Sequence, residues 1–190
     1  MNQNSEDFSD EQIARLVQGG DLEKFGVLVE RYEGKMKRYA SRFLFRYTDK
    51  EDLVQEVFLK VFENIQGFDA GRSFSAWLYR IAHNEFINAI KKREKNPLPF
   101  FDADTLFPHP VAKERADDSI NDNHLRESLD KILGELDTKY REPVILHYFE
   151  GMSYKEIGEI LKLPVATVGV RIMRGKDIAK KLLERLGYGL

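Results

Sequence analysis

Cysteine is absent from this 190-residue chain, which excludes a disulfide framework and any cysteine-ligated zinc site. A reducing compartment, the cytoplasm, is the natural expectation. Long apolar runs are missing as well. No stretch is long enough to span a bilayer, and the polar, acidic N-terminus does not read as a signal peptide, so no membrane insertion is expected. Histidine is sparse and scattered: His83, His109, His124 and His147 form no H-E-x-x-H pair and have no cysteine partners. Neither a phosphate-cradling glycine loop nor a nucleophile elbow is present. No catalytic residue, metal, cofactor or small-molecule substrate is expected, and the chain does not read as an enzyme. Overall basicity is lacking too. The formal net charge is -2 and mean hydropathy is -0.48, so any affinity for a polyanion must come from local patches.

Proline is rare except in one place. Four of the 6 prolines (Pro97, Pro99, Pro108 and Pro110) fall within a stretch whose periodicity collapses, from 96 to 123. There Asp102, Asp104, Glu114, Asp117, Asp118 and Asp122 outweigh Lys113 and Arg115. The stretch reads as an acidic linker. It divides an all-α chain into two small helical domains, over 8–95 and 124–190.

In the first domain Ser9 and Gln12 have capping-box spacing ahead of Ile13, Leu16 and Val17, and Gly19-Gly20 closes that short helix. Asp21 is expected to cap a longer helix bearing Phe25, Leu28, Val29, Tyr32, Met36, Tyr39, Ala40 and Phe43 at intervals of three or four. Thr48 and Glu51 suggest a further capping box, opening a helix with Leu53, Val54, Val57, Phe58, Val61, Phe62 and Ile65 as its core side. The outer side of that helix is acidic, with Asp49, Glu51, Asp52, Glu56 and Glu63. A solvated face is the ordinary reading of such charges; docking on a basic protein surface is the functional one.

A fourth helix, capped by Ser73, places Phe74, Trp77, Leu78, Ile81 and Ala82 inward. Its remaining residues are Tyr79, Arg80, His83, Asn84, Asn88, Lys91, Lys92 and Arg93. Planar, hydrogen-bonding and cationic side chains interleaved on one helix suit unpaired nucleic acid, since aromatic rings stack on bases and amides read their edges. Trp77 reads as a core anchor.

In the second domain Leu125, Leu129, Ile132, Leu133 and Leu136 mark one helix. A second runs from about Thr138 to Phe149, with Asp137 as cap and Pro143 expected to kink it or shift its start. Ser153 and Glu156 form another capping box, and a short helix should run from Tyr154 to about Lys162 with Ile157, Ile160 and Leu161 inward. Leu163-Pro164 interrupts it, and a second helix restarts near Val165. Val165, Val168, Ile172, Ala179, Leu182 and Leu183 share one face of this last helix; Thr167, Val170, Arg171 and Arg174 share another. Lys162, Lys176, Lys180, Lys181 and Arg185 add positive charge. Two helices, a turn and a basic second helix have the layout of a helix-turn-helix, which puts its second helix in the major groove. A solvated basic face is the plainer alternative.

Three motifs in order carry a family resemblance. They are Asp52-Leu53-Val54-Gln55-Glu56-Val57-Phe58, then Phe74 to Asn84 (FSAWLYRIAHN), then Tyr148 to Ile157 with Pro164-Val165-Ala166-Thr167-Val168. Together they resemble the extracytoplasmic-function (ECF) group of bacterial sigma factors, which keeps only the second and fourth sigma domains. The resemblance implies that Asp52, Leu53, Gln55, Glu56 and Phe58 dock on core RNA polymerase. It implies that the Gly67–Ser73 loop with Tyr79, Arg80, His83, Asn84 and Asn88 captures the melted minus-ten strand, with Lys91, Lys92 and Arg93 on phosphates. Thr167, Val170, Arg171, Arg174 and Lys176 would serve the minus-thirty-five element, and the linker would follow the RNA exit path. It also implies promoter DNA as a partner and an anti-sigma factor as antagonist. Members usually carry a basic and a small polar residue after Thr-Val; this chain has Gly169-Val170. That substitution suggests a weak or altered minus-thirty-five readout and a factor that leans on its minus-ten contacts. Val170 can touch a thymine methyl but cannot donate to a base edge, and Gly175 is expected to add flexibility. The competing reading is a conventional helix-turn-helix regulator that binds duplex DNA without polymerase.

Overall fold

The computed structural model describes residues 8–45, 47, 49–95 and 128–185. The acidic linker, together with Thr48, His109, His124 and Leu125, lies outside them. Among the described residues all regular structure is helical. The N-terminal domain comprises α1 (Asp10–Gln18), α2 (Phe25–Phe43), α3 (Lys50–Asn64) and α4 (Phe74–Lys95). The C-terminal domain comprises α5 (128–135), α6 (Thr138–Tyr148), α7 (Tyr154–Leu161) and α8 (Val165–Arg185).

Local chemistry sets most helix starts. The Ser9 hydroxyl accepts from the Gln12 amide while Gln12 Oε1 accepts from the Ser9 N–H, so α1 opens on the expected capping box. Ile13, Ala14 and Val17 then face inward, and Gly20 at φ 103 turns the chain out of the helix. Asp21 behaves differently from expectation. It precedes a 3-10 turn over Leu22–Lys24 and its side chain caps nothing, so α2 starts only at Phe25. At the start of α3, Asp49 takes the N-cap position without a side-chain cap bond.

The N-terminal core is aromatic. Tyr32, Tyr39 and Phe43 of α2 meet Phe74, Tyr79 and Phe86 of α4, with ring centroids 5.7 Å apart for Tyr32–Phe74 and 5.4 Å for Tyr39–Phe86. Phe68 and Phe74 flank a half-buried Trp77 at 4.9 and 5.7 Å, so the tryptophan is an anchor and not an exposed stacking platform. The start of α4 is held twice. The Ser73 hydroxyl accepts from the Ala76 amide, and Glu11 of α1 accepts from the Phe74 amide at 3.0 Å.

In the C-terminal domain Asp137 caps α6 by accepting from the Lys139 N–H at 3.0 Å. Pro143 sits inside α6 without shifting its start. Helix α7 stops one residue earlier than the proline alone would require. Lys162 adopts a left-handed conformation, φ 54, and Leu163 donates back to the Gly158 carbonyl at 2.9 Å. A Cβ on residue 158 would stand 2.8 Å from the Leu163 carbonyl oxygen, so this turn requires glycine. Helix α8 buries Val168 and Ile172, but Val165 is half-exposed and does not pack as expected. Gly175 also departs from expectation. It is buried where α8 crosses α6, with Val144 Cγ2 2.7 Å from where its Cβ would be, so it permits close packing and does not loosen the helix.

The two domains touch chiefly where α2 meets α6 and α4 meets α7, and Arg42 of α2 also lies 3.9 Å from Asp130 of α5. Arg141 ties them: one guanidinium nitrogen donates to the Phe43 carbonyl at 3.1 Å, the other to the Gly134 and Leu136 carbonyls at 2.6 and 2.7 Å. The Arg42 guanidinium stacks over the Phe149 ring at 4.4 Å, on the same seam.

Candidate nucleic-acid and protein interfaces

Three surfaces carry the residues singled out above. On α3, Asp52, Gln55 and Glu56 are exposed, with Leu53 and Phe58 half-buried beneath them. Glu56 and Glu63 both lie 3.9 Å from Lys60, a loose, solvent-screened arrangement that leaves the face acidic. Leu59 and Phe62 are exposed on the same helix, although periodicity placed Phe62 in the core. Phe62 packs edge-on against Phe25, with ring centroids 5.0 Å apart.

The second surface is α4. Arg80, Asn84, Asn88 and Lys91 are exposed in a row along it, and Lys92 and Arg93 are exposed farther round the helix, Arg93 lying over the Tyr47 ring. Tyr79 and His83 are placed otherwise. Tyr79 is buried and its hydroxyl donates to Glu150 of the C-terminal domain. Burial first, then that hydrogen bond, push its phenol far above the usual range. His83 Nδ1 lies 2.6 Å from Glu142 Oε1, the same oxygen that accepts from the Tyr39 hydroxyl at 2.5 Å. Glu142 is 3% exposed, a carboxylate buried between domains and held by partners on the opposite side. Sequence reasoning assigned it nothing. A signal was available: Glu142 precedes Ile145 and Leu146 by three and four residues, on the inward face of α6. A cleft of about 320 Å³ opens beside this contact, lined by His83, Glu142, Leu161 and Arg171 among others. It brings together one residue expected at the minus-ten strand and one expected at the minus-thirty-five duplex.

The third surface is α8. Val170, Arg174 and Lys176 are exposed, and Thr167 and Arg171 are half-buried. Gly169 faces the Tyr154 ring of α7, where a Cβ would meet it at 3.4 Å, an ordinary contact. The Ser153 hydroxyl accepts from the Glu156 amide and Glu156 Oε2 accepts from the Ser153 N–H, which sets the entry of α7.

These surfaces coincide with the segments that family comparison picks out. Residues 28–96, spanning most of α2 through α4, match Sigma-70 region 2; residues 126–178, from α5 into α8, match Sigma-70 region 4. The ECF RNA polymerase sigma factor SigW of Bacillus subtilis is 36% identical over 180 residues, covering 90% of this chain and 95% of that one. The chain belongs to the ECF sigma factors. The ECF sigma-E factor of Escherichia coli is 31% identical over 180 residues, covering 91% of this chain and 93% of its own. Among solved structures, the sigma factor RpoE of Bartonella quintana, bound to the anti-sigma factor NepR, matches with a TM-score of 0.69. The identity is 26%, over 84% of this chain and 96% of that one. CnrH, solved with the cytosolic domain of CnrY, matches equally well at 0.69, with 27% identity over 93% of this chain and 97% of that one. SigW, sigma-E and RpoE are sigma factors by name, and none of these comparisons favours a conventional helix-turn-helix regulator. Within this sigma factor the two matched segments contain α4 and the first two-thirds of α8, and no described helix is long and apolar enough to cross a membrane.

Proposed function

We propose that this sigma factor directs core RNA polymerase to a specific promoter set as a non-enzymatic, cytoplasmic subunit. Its working parts are a domain over 8–95, a linker over 96–123 and a helix-turn-helix domain over 124–190. Asp52, Leu53, Gln55, Glu56 and Phe58 on α3 dock on core polymerase. Their exposed acidity suits a basic partner and would repel DNA. Tyr79, Arg80, His83, Asn84 and Asn88 take the melted minus-ten strand, and Lys91, Lys92 and Arg93 its phosphates. Thr167, Val170, Arg171, Arg174 and Lys176 serve the minus-thirty-five duplex. An anti-sigma factor is the expected antagonist, a reading supported by RpoE having been solved with NepR.

The observation that carries this proposal is the match of one chain, in order, to Sigma-70 region 2 and Sigma-70 region 4. Because Glu142 and Glu150 occupy His83 and Tyr79, strand capture requires the C-terminal domain to move off α4. Selection from a random duplex library, with and without core polymerase, tests the function. The expected result is two short blocks at fixed spacing, enriched only with core. Enrichment of a palindrome by the protein alone would refute it.

A further inference from the structure

The recognition helix presents to solvent a ridge that is apolar where a sequence reader usually carries polar side chains. Val170 is 43% exposed and Met173 57% exposed, and Ala166 is exposed beside them. At about 100° per residue, Val170 stands opposite the buried Val168, Ile172 and Gly175, so it marks the centre of the outward face. Ala166 and Met173 lie within about 60° of it. The three residues run roughly 10 Å along the helix, at about 1.5 Å per residue, or about three base-pair steps of ~3.4 Å.

The rim of this ridge is cationic. Arg174, Lys180 and Lys181 are exposed on the same side, with Lys176 and half-buried Arg171 flanking and Asp177 and Glu184 as the opposing charges. An apolar protein partner would have to desolvate those cations; a polyanion would neutralise them. The floor of the major groove offers one apolar group to such a ridge, the C5-methyl of thymine, which alanine and other apolar side chains contact. Gly169 removes the side chain that would otherwise project between the ridge and α7, where its Cβ would meet the Tyr154 ring.

We infer that Ala166, Val170 and Met173 read thymine methyl groups in the minus-thirty-five element, with Arg171 and Arg174 supplying its polar contacts. The departure from the usual basic and small polar pair is therefore an altered readout, not a lost one. This inference rests on the sigma-factor function proposed above and adds the chemistry by which the upstream block is chosen.

The test uses the full chain assembled with core polymerase and a promoter obtained from the selection described above. Every thymine of the upstream block is replaced by deoxyuridine, which removes the methyl and leaves base pairing intact. Initiation should fall by about fourfold per contacted methyl, the loss expected for one buried methylene-sized group, while deoxyuridine in the spacer should have no effect. Val170→Ser and Met173→Gln alter exposed positions and should leave the helical circular dichroism unchanged. The double variant should initiate more weakly on the thymine promoter and no longer distinguish it from the deoxyuridine one. Equal use of both promoters by the unmodified factor, or a selected upstream block without thymine, would overturn the inference and leave the sigma function intact. If core polymerase confers no promoter selectivity at all, the sigma function itself falls and the inference with it.

Discussion

Replacing Glu142 with alanine should release the C-terminal domain from α4. Glu142 Oε1 holds the Tyr39 hydroxyl and faces His83, and the carboxylate is 3% exposed. Two costs compete in setting the size of the effect. An orphaned buried charge would cost about 3–5 kcal/mol, but His83 escapes that penalty because its side chain is 19% exposed and water can solvate it. What remains is the Tyr39 hydroxyl, fully buried and left without an acceptor, at about 1–3 kcal/mol. Taking about 2 kcal/mol, the ratio of docked to separated domains should drop roughly thirtyfold, since each 1.4 kcal/mol is a factor of ten. Tyr39→Phe removes the hydroxyl but leaves Glu142 facing His83, so its effect should be nearer fivefold, at about 1 kcal/mol. The second latch, Tyr79 to Glu150, cannot compensate fully, because Glu150 Oε1 is buried without a hydrogen-bond partner among the described residues. Hydrogen exchange of α4 amides and affinity for a minus-ten-type single strand should both rise, in the order wild type, Tyr39→Phe, Glu142→Ala. If both variants melt at lower temperature while α4 exchange and strand affinity stay at wild-type levels, the contact is structural only and the reasoning fails.

Two glycines of α8 should respond with opposite sign to alanine. Gly175→Ala would bring a methyl to 2.7 Å from Val144 and 3.2 Å from the Tyr140 carbonyl, an overpacking cost of about 1–3 kcal/mol that exceeds the ~1 kcal/mol gained in helix propensity. Gly169→Ala meets only the Tyr154 ring at 3.4 Å, so the propensity gain should dominate and thermal unfolding should shift upward. Asp137 gives a pH signature. The Lys139 backbone N–H, its main partner, holds the carboxyl below the usual aspartate range, so its capping contribution is complete above the unfolded-state pKa and is lost as pH falls through the lower folded value. Asp137→Ala should therefore cost about 1 kcal/mol near neutrality and nothing in strong acid, as read by denaturant titrations at several pH values. On α4, alanine at both Lys91 and Lys92 should reduce the salt slope of single-strand binding by about 1.4, from ~0.7 per phosphate contact. An unchanged slope would place neither lysine on a phosphate.

Local interactions made much of this chain legible without a structure. The Ser9, Ser73, Asp137 and Ser153 caps, and the inward stripes of α1 to α4, depend on residues within four positions of one another. A string of residues displays such short-range patterns directly, and the three motifs that pointed to the ECF group are of the same short range. One local reading failed where a neighbour competed, since the chain at Asp21 turns through a 3-10 segment first, whereas α7 ends at Leu161 with Lys162 as its cap, close to expectation. The partners of Tyr39, Tyr79 and His83 stand 103, 71 and 59 residues away, across a linker that carries no periodic signal. Only docking of α6 and α7 on α2 and α4 could bring those carboxylates to those rings. The same is true of Gly175, whose role is decided by the distance to a helix some thirty residues upstream. Propensity and capping act along the chain, so residue order discloses them. Burial of a charge, or of a missing side chain, is set by what another helix brings to the site.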